Sequence, residues 1–160
     1  MEQSTKALPG SFFFDDFHVS MVFDAAPVLI TEIEIVEFAK KYDPQPFHID
    51  SKAAANGHFG SIIASGFMTV AKAFTQFLEL GLIKESSMGG WGIDELRWFK
   101  PVFPNDMLST RIEVFDKKVS SKGFKRGTIR FKIIVKNQVN DKVLQFISNT
   151  IIRQRVDKKS

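Results

Sequence analysis

The chain has 160 residues and a mass of 18.1 kDa, with 44% hydrophobic and 25% charged residues, a composition that fits one compact globular domain and excludes general disorder. Its 22 Lys and Arg against 18 Asp and Glu give a formal charge of +4, which does not call for nucleic acid and suits modest attraction to anionic small molecules. The absence of cysteine excludes disulfides, cysteine nucleophiles, iron–sulfur clusters and Cys-based zinc sites.

The two ends of the chain are predicted to be frayed, over residues 1–11 and 157–160, around an ordered core of about residues 12–153. A basic start followed by an apolar stretch is missing from the first ten residues, so a secretory signal is not expected. The most apolar segment, residues 62–83, is interrupted by three charged or amide side chains, which makes it a poor membrane span. A cytoplasmic protein with no membrane partner is therefore expected.

The first part of the chain predicts an extended arm and two helices. Residues 12–23 mix aromatic and β-branched residues with polar ones, which is typical of a strand or an extended arm. The sequence Thr31-Glu32-Ile33-Glu34 has the capping-box pattern and predicts the start of a helix. That helix must end near Tyr42, because two prolines follow within four residues. A short second helix is predicted over residues 50–55.

The longest predicted helix covers residues 65–80. Its polar residues lie three or four positions apart in one narrow stripe and nearly all others are apolar, so we expect other structure to wrap around it. Four predicted strands follow, over residues 92–99, 108–117, 124–136 and 143–153. Asn140 and Asp141 form a plausible hairpin turn between the last two. One long buried helix followed by four strands predicts an α+β fold, with an antiparallel sheet curled around a central helix.

The segment from Tyr42 to Asp50 carries the residues best suited to chemistry. It places Asp43 and His48 five residues apart on a stretch stiffened by two prolines, and an acid–base pair must be held in place before substrate arrives. Gly66, in the first turn of the long helix, can offer an uncovered backbone N–H where the helix dipole favours negative charge. An acid, a base and an oxyanion donor are what addition or removal of water beside a thioester carbonyl requires.

These motifs resemble those of the MaoC-type, (R)-specific enoyl-CoA hydratase family of hot-dog proteins. The family's loop reads Asp-x-Asn-Pro-x-His, and Asp43, Pro46 and His48 match it. Its long helix begins at a Gly-containing turn, which Ser65-Gly66 matches. Residues 96–106, LRWFKPVFPND, are similar to the family's Arg-aromatic-x-x-Pro-Val strand and turn. The resemblance extends over most of the chain and implies the hot-dog fold.

The resemblance implies a lyase of fatty acid metabolism that reversibly hydrates an enoyl thioester to a 3-hydroxyacyl thioester. Coenzyme A would be part of the substrate, and no other cofactor is expected. Asp43 and His48 would together activate water, one of them would return a proton to the α-carbon, and the Gly66 N–H would steady the enolate-like oxygen. Ser65 and Gln45 are the other positions expected to bind substrate. The family also implies a homodimer or a higher homo-oligomer.

The chain departs from the family pattern at four positions. Gln45 replaces the Asn of the loop, so a hydrogen bond that orients the loop is expected to be longer or differently directed. Ser65 stands where many members carry His, and Ser20 and Asn105 occupy places often held by Gly. Asp43 and His48 are unaffected by these departures, which are expected to change catalytic efficiency or acyl-chain preference instead. A carboxylate facing an apolar tunnel is expected to have its charged form disfavoured, which would make it a better base.

Two other functions fit the same residues. A thioesterase on this fold would use the carboxylate to direct water at the carbonyl carbon and would release free thiol. A non-catalytic subunit would bind an acyl thioester without turning it over. Acyl-chain length and branching, the choice between coenzyme A and carrier protein, and the pathway are left open by the sequence.

A basic cluster surrounds a predicted turn near the middle of the second half. It consists of Lys117, Lys118, Lys122, Lys125 and Arg126. The cluster fits a solvated hairpin tip, and it also fits attraction of the phosphates of coenzyme A. No nucleic-acid recognition motif accompanies it, so nucleic acid is not an expected partner. Three histidines without a coherent ligand pattern give no reason to expect a metal site.

Overall fold

The computed structural model describes residues 10–156, so most of the predicted leader and all of the predicted tail lie outside the described residues. The elements, in chain order, are a 3₁₀ turn (Phe14–Asp16), β1 (Val22–Asp24), β2 (Val28–Leu29), α1 (Glu32–Tyr42), α2 (Pro46–Ile49), α3 (Ser51–Ala55), α4 (Gly66–Glu79), β3 (Ser87–Trp98), β4 (Met107–Val119), β5 (Arg126–Lys136) and β6 (Lys142–Arg153).

The strands form an antiparallel sheet in the order β1-β4-β5-β6-β3, and β2 pairs with β4 next to the segment that pairs with β1. Helix α4 packs on the inner face of this sheet, where every second residue of β5 is buried. Phe77 of α4 meets Phe131 of β5 with ring centroids 4.8 Å apart, and Phe17 packs on the same ring at 5.3 Å. The predicted α+β fold, a sheet around a long helix, is confirmed.

Helix α1 begins and ends where the local signals predict. The Thr31 hydroxyl accepts a hydrogen bond from the Glu34 N–H, and the Glu34 carboxylate accepts one from the Thr31 N–H. This reciprocal pair satisfies two N–H groups that the helix itself leaves unpaired. The helix ends at Tyr42, two residues before the first of the two prolines.

The proline segment is more regular than the loop that the sequence predicts. Pro46 occupies the first position of α2, where its missing N–H costs nothing, so His48 lies on a short helix. Asp50 then ends α2 and starts α3, because its carboxylate accepts hydrogen bonds from the Lys52 and Ala53 N–H groups. Two short helices in succession therefore fix the backbone on both sides of His48.

Helix α4 is not wrapped as completely as its composition predicts. Within the single chain, Phe67 is 63% exposed and Leu78 is 46% exposed, whereas Thr69 and Gln76 of the polar stripe are buried. The sheet of one chain curls over only one side of the helix, and that side includes Thr69 and Gln76 but not the exposed Glu79. Gln76 is satisfied there by the carbonyls of Ala26 and Leu108 and by the Thr110 hydroxyl.

Three turns use residues other than glycine in the left-handed region of backbone space. Ser20 has φ 74° and Asn105 has φ 70°, a backbone region that glycine adopts at lower cost. Asn140 has φ 67° in the turn between β5 and β6, which confirms the predicted hairpin. Over residues 10–156 no helix has both the length and the apolarity needed to cross a membrane.

Lys117 does not belong to the solvated hairpin tip to which its sequence neighbours assign it. A register shift between Val114 and Asp116 turns Lys117 toward the inner side of the sheet. The Lys117 ammonium there donates to the carbonyls of Phe14 (2.9 Å) and Phe17 (2.7 Å). The expectation that all five cations of the cluster face solvent is therefore wrong for this one, because the bulge was not visible in the sequence.

Candidate active site

The Asp43 carboxylate is the centre of a hydrogen-bonded group at the end of α1. The Ser65 hydroxyl donates to Oδ2 at 2.6 Å, and the Gln45 amide donates to Oδ1 at 2.7 Å. His48 Nε2 lies 3.3 Å from the same Oδ2. Three of the predicted site residues thus contact the carboxylate of a fourth, Asp43. The fifth, Gly66, follows Ser65 directly at the start of α4.

The His48 ring is fixed by its other nitrogen. Nδ1 lies 2.6 Å from the Ile63 carbonyl oxygen, and the residue is only 3% exposed. Because a carbonyl can only accept, this contact assigns the proton to Nδ1. With the proton on Nδ1, Nε2 faces Asp43 Oδ2 as an acceptor in the neutral ring and as a hydrogen-bond donor in the protonated ring. When the ring is neutral, a water molecule that lies beside both atoms can donate one hydrogen to each, and it must lie beside them because a separation of 3.3 Å leaves no room for water on the line between them.

The pKa of Asp43 is held below its ordinary value, mainly by the hydrogen bond from the Ser65 hydroxyl. Partial burial acts in the opposite direction, and the Gln45 hydrogen bond and the charge and hydrogen bonding of His48 add to the lowering. The expectation that the charged form of this carboxylate is disfavoured is therefore wrong, because donors surround it. Asp43 is ionised at neutral pH.

Ser65 has two partners for one hydroxyl group. It donates to Asp43, and its oxygen accepts a hydrogen bond from the Phe67 N–H at 3.3 Å, which caps the start of α4. Its side chain is fully buried. The Gly66 N–H occupies the first position of α4, where the helix provides no carbonyl acceptor, so it can receive a negatively charged oxygen.

Removing the Ser65 hydroxyl is expected to raise the pKa of Asp43 toward its ordinary value. We predict this for both Ser65→Ala and Ser65→Gly, but only the alanine variant should also lose about 1 kcal/mol of helix capping. Because the folded pKa lies below the unfolded one, Asp43 stabilises the fold above its ordinary pKa, and this contribution disappears as pH falls through the folded pKa. Both variants should therefore show a smaller stability difference between pH 7 and pH 3.

Carboxylate NMR titration measures the Asp43 pKa directly, and urea unfolding at the two pH values measures the linked stability. An unchanged Asp43 titration in both variants would show that Ser65 does not set the charge state of this carboxylate.

Gly66 is in close contact with an indole ring. The Trp98 Nε1–H donates to the Gly66 carbonyl at 3.0 Å, and a Cβ added to Gly66 would lie 2.6 Å from both Cε2 and Nε1 of that ring. Trp98 ends β3, so this contact joins the edge strand of the sheet to the first turn of α4. The glycine is required here for close packing, in addition to any role of its N–H.

The Gly66→Ala variant is expected to be less stable by about 1–3 kcal/mol, because the rigid indole must be displaced. Trp98→Leu in the same chain should recover most of this loss, since the smaller side chain leaves room for the methyl group. Urea unfolding of the two single variants and the double variant measures the coupling between these positions. A Gly66→Ala variant as stable as the parent chain would contradict the packing role.

A cavity of about 300 Å³ opens beside His48 and Gly66. Its remaining wall is mostly apolar and includes Trp98, Val102 and Val143. Trp98 lies in the family-like strand of the sequence, but no sequence signal places it in the site, and no side-chain pattern points to the Ile63 carbonyl. Among residues 10–156, no group of three or more His, Asp or Glu side chains is placed to hold a metal ion.

The fold and the site define the class of protein: this is a hot-dog fold in which a buried His and a partly buried Asp lie beside the start of the central helix. The chain belongs to the MaoC-like domain family, whose sequence model matches residues 17–137.

The chain is also similar to individual proteins over most of its length. The chain is similar to the uncharacterized protein YdeM of Bacillus subtilis (strain 168), with 31% identity over 140 residues that cover 88% of this chain and 98% of that protein. The crystal structure of the MaoC-like dehydratase from Rhodospirillum rubrum has a TM-score of 0.84 at 29% identity and covers 91% of this chain and 99% of that one. The unliganded R-hydratase PhaJ1 from Pseudomonas aeruginosa shares the fold, with a TM-score of 0.75 at 23% identity over 91% of this chain and 88% of that one.

Proposed function

We propose that the protein catalyses the reversible hydration of an enoyl-coenzyme A thioester to a 3-hydroxyacyl thioester. The observation that carries this proposal is the Asp43–His48 pair, with Oδ2 and Nε2 3.3 Å apart, next to a helix N-terminus. Membership of the MaoC-like family and similarity to a MaoC-like dehydratase support a hydratase or dehydratase. The thioester substrate and the hydration reaction are the proposed properties, and an assay with an enoyl-coenzyme A tests both.

In the proposed reaction, water lies beside the Asp43–His48 pair and donates hydrogen bonds to the Asp43 carboxylate and to Nε2 of the neutral His48 ring. Asp43 accepts a proton from water as the oxygen adds to the β-carbon, and the electron pair of the double bond moves onto the thioester carbonyl. The Gly66 N–H donates a hydrogen bond to the resulting enolate oxygen. Asp43 then returns this proton to the α-carbon, either directly or by passing it through His48 Nε2, which leaves the 3-hydroxyacyl product and the starting protonation state. Dehydration is the reverse sequence.

Ser65 and Gln45 act in this scheme through Asp43, as positioning residues. Each donates one hydrogen bond to a different carboxylate oxygen, which leaves the remaining lone pairs of Asp43 directed at the water. Because both bonds also stabilise the ionised form, the carboxylate is available as a base at neutral pH. Direct contact of Ser65 or Gln45 with substrate stays a prediction.

The proposal includes a homodimer. Strand β3 lies at the edge of the sheet with most of its residues exposed, and α4 exposes Phe67 and Leu78. An unpaired edge and an apolar helix face are both stabilised by a second copy. Light scattering at micromolar concentration should give twice the chain mass of 18.1 kDa. A mass of one chain under these conditions would contradict the dimer.

Hydration of a short trans-2-enoyl-CoA tests the proposed activity. Addition of water removes the conjugated thioester absorbance and releases no thiol, so the two signals are followed in parallel. Absorbance loss without thiol release, together with formation of the 3-hydroxyacyl product, supports hydration. Stoichiometric thiol release would instead identify a thioesterase. If neither signal changes across a series of acyl lengths, the protein would be interpreted as a non-catalytic subunit that binds the thioester.

A further inference from the structure

The hairpin that joins β4 to β5 contains a second cavity far from Asp43. It has a volume of about 420 Å³ and is lined by Trp91, Lys118, Ser120, Ser121, Lys122 and Arg126 among others. We call these six residues the hairpin site. Trp91 lies seven residues before Trp98 on β3, which is about 23 Å along an extended strand. The hairpin site is therefore at the opposite end of the sheet from the cavity beside Gly66.

The positive charge of the hairpin site is not neutralised within the described part of the chain. Among residues 10–156, no carboxylate forms an ion pair with Lys118, Lys122 or Arg126. Arg126 also lies directly opposite Arg153 in the register of β5 and β6. Two like charges directly opposite each other on a sheet are destabilising, so a bound anion would relieve the repulsion. A phosphate group meets this requirement, since cationic side chains and serine hydroxyls both bind it.

An aromatic surface lies in the same cavity. Within one chain Trp91 is 62% exposed, and its Nε1–H donates to the Thr128 hydroxyl at 3.3 Å, which holds the ring at one position. Thr128 alternates with the buried inner-face residues of β5, so the ring lies on the outer face of the sheet, which backbone pairing of the β3 edge with a second copy does not use. Trp91 thus presents a large ring where a nucleobase can stack, next to side chains that can bind phosphate. The volume suits one nucleotide rather than a longer strand.

We propose that the hairpin site binds a phosphorylated adenosine, with its base on Trp91 and its phosphates on Lys118, Lys122 and Arg126. Two sources supply this chemistry. One is the nucleotide end of coenzyme A, and binding of coenzyme A here depends on the proposed function. The other is a free adenine nucleotide, whose binding does not depend on the proposed function. A coenzyme A molecule would have to reach the hairpin site with an extended arm or from the catalytic site of a neighbouring copy.

Tryptophan fluorescence provides a direct test, because the chain has only two Trp residues. In a Trp98→Phe chain, Trp91 is the single reporter, and adenosine 3′,5′-bisphosphate is the probe. We expect saturable quenching. Arg126→Gln and Lys122→Gln should each weaken the dissociation constant by about tenfold. The matched control is Lys136→Gln, an exposed cation at the far end of β5, which should change it by less than about twofold.

Three results would overturn the proposal. They are the absence of saturable quenching, an equal loss of affinity in the Lys136→Gln control, and tighter binding of a single-stranded oligonucleotide than of the bisphosphate. The last would identify a nucleic-acid surface instead.

Kinetics then separate the two sources of the nucleotide. If the hairpin site serves coenzyme A, Arg126→Gln should raise KM for an enoyl-CoA by about tenfold with kcat unchanged, and should leave the matching N-acetylcysteamine thioester, which lacks the nucleotide, unaffected. Unchanged kinetics with weakened bisphosphate binding would identify a site for free nucleotide. If neither thioester is turned over by the parent chain, the proposed function fails, and the fluorescence titration still decides the hairpin site.

Discussion

Replacing Asp43 by asparagine is expected to lower kcat/KM for enoyl thioester hydration by about a thousandfold and to leave the fold intact. The amide has the same shape as the carboxylate and can still accept the Ser65 hydrogen bond, while Gln45 can rotate its own amide to remain paired. What the variant loses is the ability to take a proton from water. Steady-state kinetics measures the loss, and urea unfolding checks that stability changes by less than about 1 kcal/mol.

Asp50→Asn is the matched control for this prediction. Asp50 lies seven residues further along the same segment, but its carboxylate caps α3, a role that asparagine fills equally well. We expect its kcat/KM to stay within about twofold of the parent chain. Retention of hydration by Asp43→Asn would remove Asp43 as the base, and an equal loss in both variants would attribute the effect to the shape of the segment.

Two replacements of His48 are expected to lose activity equally and stability unequally. Asparagine places an N–H where the ring has Nδ1–H, so His48→Asn keeps the hydrogen bond to the Ile63 carbonyl but has no counterpart of Nε2. His48→Ala leaves that buried carbonyl without its donor. Both should lower kcat/KM by about 10²–10³-fold, because each removes the acceptor that holds water against Asp43. Only the alanine variant should lose a further 1–3 kcal/mol, roughly, of folding free energy.

Kinetics and urea unfolding on both variants distinguish the two functions of the ring. The double variant Asp43→Asn/His48→Asn should be about as slow as the slower single variant, since two residues that hold the same water act as a unit. If His48→Asn hydrates enoyl thioester at the parental rate, Nε2 has no part in the reaction. If the effects of the two substitutions multiply, Asp43 and His48 act independently.

The elements that were predictable from sequence are those specified by neighbouring residues. The capping box at Thr31 starts α1 and the prolines end it, because these signals act within one helical turn. The same locality explains why the contact between Asp43 and His48 could be predicted, since the two residues are five positions apart on a short, stiff segment. The long strands followed from composition and turn residues for the same reason.

The parts that were not predictable depend on residues distant in the chain. The hydrogen bond from Ser65 to Asp43 joins positions 22 residues apart, and the bond from Trp98 to Gly66 joins positions 32 apart. The importance of the Asp43 carboxylate was therefore predictable, but the lowering of its pKa was not. The Ser65 hydroxyl, its strongest donor, reaches the carboxylate only when α4 packs against it. The position of Lys117 was missed because one bulge reverses the side of the sheet that the following residue faces.

The single oxygen of Ser65 links the charge state of the site to the integrity of the first turn of α4. When that turn opens, the Phe67 amide loses its acceptor and Asp43 loses its strongest donor in the same event. Hydrogen exchange at the Phe67 amide therefore reports how often the site is disassembled. Heating should inactivate the protein at the temperature where this one amide begins to exchange freely, below the temperature at which the sheet melts.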